Sequence, residues 1–274
     1  MKLLNGQELA EFIKERQVHQ VRALRQAEDI VPKLAIIRTN PDPIVDSYMK
    51  LKQGYGEDIL VDVDVYTIDQ SQALATIAEL NADPSVHGII VQIPLPDPTQ
   101  TTEILDAVSP AKDVDGLAAG TTFDPATPLA IMWLLAGYNI ELAGKHIVIV
   151  GHGRLVGKPL VRICEQSGYD VEVADKSVKN LGEMTRRADV LISATGVAGL
   201  ITQDMVQPNA VIVDAGVATD SNGLVGDVAP DVRLLPDIKI TPEKGGVGPL
   251  TVCALFDNVI RAARNSLEIK EPNV

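Results

Sequence analysis

A chain of 274 residues, 46% hydrophobic and 22% charged, has the length and apolar content for one large domain or two modest ones with a real core. Its net charge of -13 argues against a nucleic-acid phosphate backbone as partner, because such binders need clustered cations. The two cysteines, Cys164 and Cys253, have no metal-ligand spacing and suit a reducing compartment better than a disulfide scaffold, so no metal site is expected.

The opening residues, MKLLNGQELAEFIKER, are amphipathic and carry Glu8, Glu11 and Glu15, which a signal peptide would not. No apolar run reaches the roughly 18 residues of a membrane span. Mean hydropathy is +0.12. The expectation is a soluble, cytoplasmic protein with no membrane partner. Residues 7–28 read as a helix and KLAIIRT (33–39) as a buried strand. After the NPDP loop, IVDSYMKLKQGYG has helical spacing with glycines near its end. A strand follows at 59–68, a helix at 71–83, and a strand at 87–96 that ends in prolines. A loop rich in Gly, Ala, Thr and Pro spans 113–128, and PLAIMWLLAGYNI makes a long helix able to bridge two lobes.

The second half repeats the alternation. Strands are expected at 146–151, 170–175, 189–195, 210–216 and 233–241, with helices beginning after Gly157 and near Asn180. A last amphipathic helix covers 250–267. Strand alternating with helix predicts an α/β protein with parallel sheets and helices on their faces.

Five stretches stand out. In VIVGHGRLVGKPL, Gly151, Gly153 and Gly157 form a G-x-G-x-x-x-G turn between a strand and a helix. Glycines there permit a tight turn, close approach of a pyrophosphate, and close helix packing, while the helix start offers unpaired N–H groups. A ligand-free βα turn is the plain alternative. Asp175 ends the next strand, 24 residues after Gly151, where an acid commonly hydrogen-bonds an adenosine ribose. Together the two features favour a dinucleotide.

Tyr48 and Lys52 are four apart and share one helix face, whereas Lys50 points away. A ring and an amine there suit stacking of a flat substrate and proton transfer, provided that the lysine pKa is lowered. Core edge and solvated surface are the alternative reading. Gln92 is a polar residue in an apolar strand broken by Pro94 and Pro96, so it is either capped or faces a crevice. Asp113 and Asp115 flank a valine in KDVDG, and are turn formers or functional acids. TPEKGGVGPLT (241–251) is a hinge or a loop whose backbone approaches a flat ligand.

Taken in order, SYMKLK, VHGIIVQIPLP, SPAKDVDGL, PATPLAIM, GHGRLVGKPL and GGVGPLT resemble the bifunctional methylenetetrahydrofolate dehydrogenase/methenyltetrahydrofolate cyclohydrolase family. The resemblance runs from about residue 5 to 267. It implies two three-layer αβα lobes with a cleft between them, the second lobe Rossmann-like. The expected domains are a catalytic, folate-binding one over 1–120, with the helix of 250–274 packing back on it, and a dinucleotide-binding one over 121–249. It further implies a homodimer, a tetrahydrofolate substrate, and NAD or NADP as cofactor. Tyr48 would stack on the pterin, Lys52 would be the central proton-transfer group bonded to Gln92, and Asp115 would anchor the pterin's polar edge. Gly248 and Pro249 would close over the folate. Cofactor contacts are implied for Gly151, His152, Gly153, Asp175, Lys176 and Val217.

The chain departs from that pattern in several places. The 116–128 segment is short and lacks an N-x-G-x-L stretch, PATP replaces P-C-T-P, and PEK stands before GGVGP. Gly151-His152-Gly153 replaces the usual G-R-S, so the Arg and Ser often turned toward an NADP phosphate are missing. His152 is a poor phosphate clamp, its reference pKa lying near 6.5, and Asp175 would repel a 2′-phosphate. NAD is therefore favoured over NADP, with Arg154 and Lys176 the residues able to reverse that. A single-activity enzyme and a non-catalytic dinucleotide or folate sensor are the competing readings; the intact Lys52 argues against a sensor.

Overall fold

Two separate parallel sheets organise the chain, each with its helices in the strand connections, as seen in a computed structural model that describes residues 1–41, 43–220 and 223–270. The first half contains β1 (Lys2–Leu3), α1 (Gly6–Ala27), β2 (Lys33–Arg38), α2 (Pro43–Ile59), β3 (Asp62–Thr67), α3 (Ala73–Ala82), β4 (Gly88–Val91) and α4 (Thr101–Asp106). Next come α5 (Ala126–Gly137), β5 (Ile147–Val150), α6 (Gly157–Gln166), β6 (Val171–Ala174), α7 (Leu181–Thr185) and β7 (Val190–Ser193). The chain finishes with β8 (Val211–Asp214), β9 (Ala218–Asp220), β10 (Gly223–Val225), β11 (Lys239–Ile240) and α8 (Val247–Lys270). Among the described residues no helix is long and apolar enough to cross a membrane.

The chain divides into two compact units. One joins Met1–Ala10 to Thr127–Thr251, and the other joins Glu11–Ala126 to the described residues from Val252 on. The three-stranded unit has the order β3-β2-β4, all parallel. The strands β2 and β4 are continuous apolar runs because both faces are covered, whereas the edge strand β3, DVDVYT, alternates. On one face Ala35, Ile37, Ile89 and Val91 pack with Ile77, Leu80, Ile104 and Leu105. Because β2 is central and the chain passes first to β3 and then back to β4 on the other side, a crevice is expected at the carboxyl ends of these strands. The KDVDG segment extends this sheet by an isolated parallel bridge from Asp113 to Ile89. Asn258 of α8 is 1% exposed and donates through Nδ2 to the carbonyls of Val114 and Asp124, both at 2.9 Å. That amide closes the base of the 114–124 loop.

The six-stranded unit has the order β1-β11-β8-β7-β5-β6. Every pairing in it is parallel. Val148, Val150, Leu191, Ile212 and Ile240 form its core with Ala188, Ile201 and Val232. Here β5 is flanked by β6 and β7, so the connections reverse direction at β5 and the exit of that strand is the switch point. A short antiparallel hairpin of β9 and β10 stands apart from both sheets.

Several boundaries differ from the sequence expectation. The strand expected over 87–96 is confined to Gly88–Val91. The strand expected from residue 59 starts at Asp62, because α2 runs on to Ile59 and ends with Leu60 at φ 66° and the Val61 N–H bonded to the Gly56 carbonyl (2.9 Å). The strand expected over 233–241 shrinks to Lys239–Ile240. Pro230–Leu234 coils as a 3-10 turn and Asp237 sits at φ 59°, so only two residues are extended enough to pair with β1 and β8. The two-residue β1 and the β9–β10 hairpin were not expected from the sequence.

Candidate active site

On α2, Met49, Lys52, Gly56 and Ile59 fall at helical spacing along one stripe. Met49 is 7% exposed and Ile59 fully buried, so Lys52 occupies a core-facing position that an apolar residue would ordinarily fill. Its Nζ donates to Gln92 Oε1 at 3.1 Å. Gln92 follows β4, and its backbone N–H bonds to the Ile37 carbonyl at 2.8 Å, which continues the ladder to β2. The Gln92 Nε2 donates to the Ile93 carbonyl at 3.1 Å, which turns Oε1 toward the lysine. The peptide bond between Ile93 and Pro94 is cis.

The two aspartates of KDVDG do different work. Asp113 is 4% exposed, and its carboxylate accepts from the Ala118 N–H at 2.8 Å, which shapes the following loop. Asp115 lies in the turn closed by the Gly116 N–H to Asp113 carbonyl bond (3.2 Å), near enough to Lys52 for each charge to act on the other. Burial pushes the Asp115 carboxyl up to about 6, held back by the Lys52 charge and aided by that of Asp113. Burial lowers the Lys52 pKa, and Asp115 opposes it. An amine and a carboxyl whose proton affinities are drawn toward each other are suited to holding and moving protons. Tyr48, one turn before Lys52, keeps 39% of its surface exposed and so presents a ring to an incoming flat group. The structure thus brings Lys52, Gln92 and Asp115 together with Tyr48 beside them, all in the three-stranded unit.

The glycine turn lies in the six-stranded unit at the exit of β5, the switch point. Gly151 has φ 98°, and a Cβ there would stand 2.5 Å from the Ala194 carbonyl oxygen. A Cβ on Gly157 would meet the Gly151 oxygen at 1.9 Å, so α6 starts hard against the turn. Gly153 faces open space. A bare, tightly folded backbone ahead of a helix start fits a dinucleotide pyrophosphate.

Asp175, exposed at the exit of β6, accepts through Oδ1 from Ser177 Oγ (2.6 Å) and Ser177 N (2.8 Å). Those two bonds, with a smaller contribution from nearby His152, hold its carboxyl below the usual range. Lys176, the next residue, is exposed, as is His152 in the glycine turn, and Val217, 60% exposed, follows β8. Gly248 and Pro249 form the first turn of α8, in this same unit. They are therefore not in the unit that carries Lys52.

Two buried carboxylates carry no motif that marks them in the sequence. Asp214 ends β8 and Asp227 is fully buried, and both take several backbone N–H groups of loops at the carboxyl end of the six-stranded sheet. Burial raises the Asp214 carboxyl above its usual range, against the pull of the Val228 and Asp227 N–H groups. The one sequence signal was an acid closing an otherwise apolar strand, AVIVD.

Comparisons with known proteins agree with this division. Residues 4–115 match the tetrahydrofolate dehydrogenase/cyclohydrolase catalytic domain, and residues 125–267 match the NAD(P)-binding domain of the same family. The chain is 38% identical to the bifunctional protein FolD of Exiguobacterium sibiricum over 96% of this chain and 99% of that one. The crystal structure of the bifunctional dehydrogenase/cyclohydrolase FolD from Campylobacter jejuni is similar at 36% identity and TM-score 0.92, covering 97% of this chain and 99% of that one. A 5,10-methylenetetrahydrofolate dehydrogenase from the silkworm Bombyx mori superposes at 31% identity and TM-score 0.91, covering 98% and 99%.

Proposed function

The chain belongs to the tetrahydrofolate dehydrogenase/cyclohydrolase family, and from that premise we propose how its residues divide the two reactions. It oxidises 5,10-methylenetetrahydrofolate to the 5,10-methenyl form with a nicotinamide dinucleotide, and hydrolyses the product to 10-formyltetrahydrofolate. The observation that carries the residue assignment is the Lys52 Nζ to Gln92 Oε1 bond on a core-facing helix position.

When bound, the dinucleotide supplies the hydride acceptor. Gly151, His152, Gly153, Asp175, Lys176 and Val217 would hold it, while Tyr48 stacks the pterin ring and Asp115 accepts from its polar edge. Gly248 and Pro249 would close over the folate. Lys52 spends one N–H on Gln92, which fixes where its remaining hydrogens or lone pair point. As a neutral amine it takes a proton from the water that attacks the methenyl carbon; as an ammonium it gives that proton to the ring nitrogen as its bond to the carbon breaks, and the added hydroxyl loses its own proton to solvent as the formyl carbonyl forms. One cluster serves both steps because both occur at one carbon. A catalytic domain over 1–120 with 250–274 and a dinucleotide domain over 121–249, adjusted at 1–10, 121–126 and 250–251 to the compact units described above, homodimerisation and a cytoplasmic location belong to the same proposal.

NAD is the preferred cofactor in this reading. Asp175 keeps Oδ2 for a ribose hydroxyl while its charge opposes a 2′-phosphate, and no Arg-Ser pair follows Gly151 to offset that. The ratio of kcat/KM for NAD to that for NADP is expected to exceed one and to fall in Asp175→Ser; a wild-type preference for NADP contradicts the charge argument.

Two further measurements bear on the cluster. Lys52→Ala is expected to lower cyclohydrolase kcat by about 10²-fold or more, the size of a lost general acid–base group, with the circular dichroism of the fold retained. Normal hydrolysis of methenyl-folate by that variant excludes Lys52. For Asp115 the sign follows from its raised pKa: the carboxylate that accepts from the substrate is present above about 6 and lost below it. Dehydrogenase kcat/KM for methylene-folate should fall as pH drops through that value, and Asp115→Asn should show no such limb; a flat wild-type profile there contradicts the role.

A further inference from the structure

Three chain reversals meet at the carboxyl end of the six-stranded sheet: Gly151 after β5, Thr195–Val197 after β7, and Gly216–Val217 after β8. They touch one another. A Cβ on Gly151 would lie 3.1 Å from Thr195 Cγ2, and one on Gly196 would lie 3.3 Å from the Val217 oxygen. Beneath them is Asp227, fully buried and far in sequence from the first two. Its Oδ2 accepts from Ser193 Oγ (2.7 Å) and from the Thr195 N–H (2.7 Å), and its Oδ1 accepts from the Val197 N–H (3.0 Å). A Cβ on Gly216 would fall 2.0 Å from the same carboxyl carbon, so the loop after β8 rests directly on it.

Asp227 is itself held. Its backbone N–H and that of Val228 donate to the two oxygens of Asp214, both at 3.0 Å, and Asp214 also accepts from the Gly216 N–H at 3.2 Å. The Arg233 guanidinium stands 3.5 Å from Asp214 Oδ2. Two acids therefore tie the exits of β7 and β8 to the returning 226–228 segment, and the β7 exit in turn supports the Gly151 turn.

We propose that Asp227 is a positioning residue for the dinucleotide: its carboxylate sets the Thr195–Val197 and Gly216–Val217 loops, and through them the Gly151 turn, in the arrangement that receives the cofactor. It acts mainly through backbone N–H groups of its own unit, and the substrate cluster of Lys52, Gln92 and Asp115 belongs to the other. The inference rests on the two-activity reading, and that reading provides the control. Dehydrogenation needs the dinucleotide, and hydrolysis of methenyl-folate does not.

The test uses the full-length Asp227→Asn variant, which keeps the shape but turns an NH₂ group toward backbone N–H donors. KM for the dinucleotide is expected to rise about tenfold or more, as for loss of a hydrogen bond to a charged group, while cyclohydrolase kcat/KM stays within about twofold of wild type. An unchanged dinucleotide KM overturns the proposal. So does a loss of both activities in equal proportion, which marks a purely structural role. Should Asp227→Asn fail to fold, Ser193→Ala removes one of the three donors; a raised dinucleotide KM with intact hydrolysis supports the assignment, and an unchanged KM overturns it. A wild-type protein lacking either activity would instead refute the two-activity reading.

Discussion

The chemistry proposed for this protein depends on a lysine placed where the fold calls for an apolar side chain. Burying an amine is costly unless it is paired or left uncharged, and Lys52 meets that cost in both ways. The Gln92 carboxamide accepts its hydrogen at 3.1 Å, and burial shifts its pKa toward the neutral form while the Asp115 charge limits the shift. The same burial moves the Asp115 carboxyl upward, so the two groups approach each other in proton affinity. Each needs the other. Without the lysine the carboxyl would be less willing to ionise, and without the acid the amine would lose a charge that favours its ammonium form.

The surrounding structure serves to keep that cluster in register. The Gln92 carboxamide is oriented by its own neighbour's carbonyl, and its backbone is fixed by Ile37 in the central strand. The Asp115 turn is delivered by a bridge from Asp113 to Ile89 and closed from behind by Asn258. These supports come from four separate chain segments, which is how the cluster is held together although its members are far apart in sequence. The six-stranded unit applies a parallel logic to an anion. Glycines bring backbone close at Gly151 and Gly157, and buried acids rather than basic side chains hold the loops around them.

Much of this was legible in the chain. The apolar runs of β2, β4, β5, β7 and β8 are buried on both faces and announced themselves as strands, and Tyr48 and Lys52 were paired by their spacing alone. Gln92 drew notice because it interrupts an apolar run. Other features depend on distant partners and leave no local trace. Asp113 and Asp115 look alike in sequence, and only the bridge to Ile89 and the bond to Ala118 separate the loop former from the acid near Lys52. The two residues of β1 are extended because β11 is there to pair with them. Asp227 was invisible because its donors, Ser193, Thr195 and Val197, lie more than two secondary-structure elements upstream.

The lysine's own ionisation is the most direct test. In protein labelled with carbon-13 lysine, the Lys52 side-chain signal can be assigned by its disappearance in Lys52→Arg and followed by NMR through an alkaline titration. A midpoint below the ordinary lysine value of about 10.4 is the predicted result. A midpoint at or above that value would contradict the idea that this fold holds an amine ready to exchange protons at the reacting carbon.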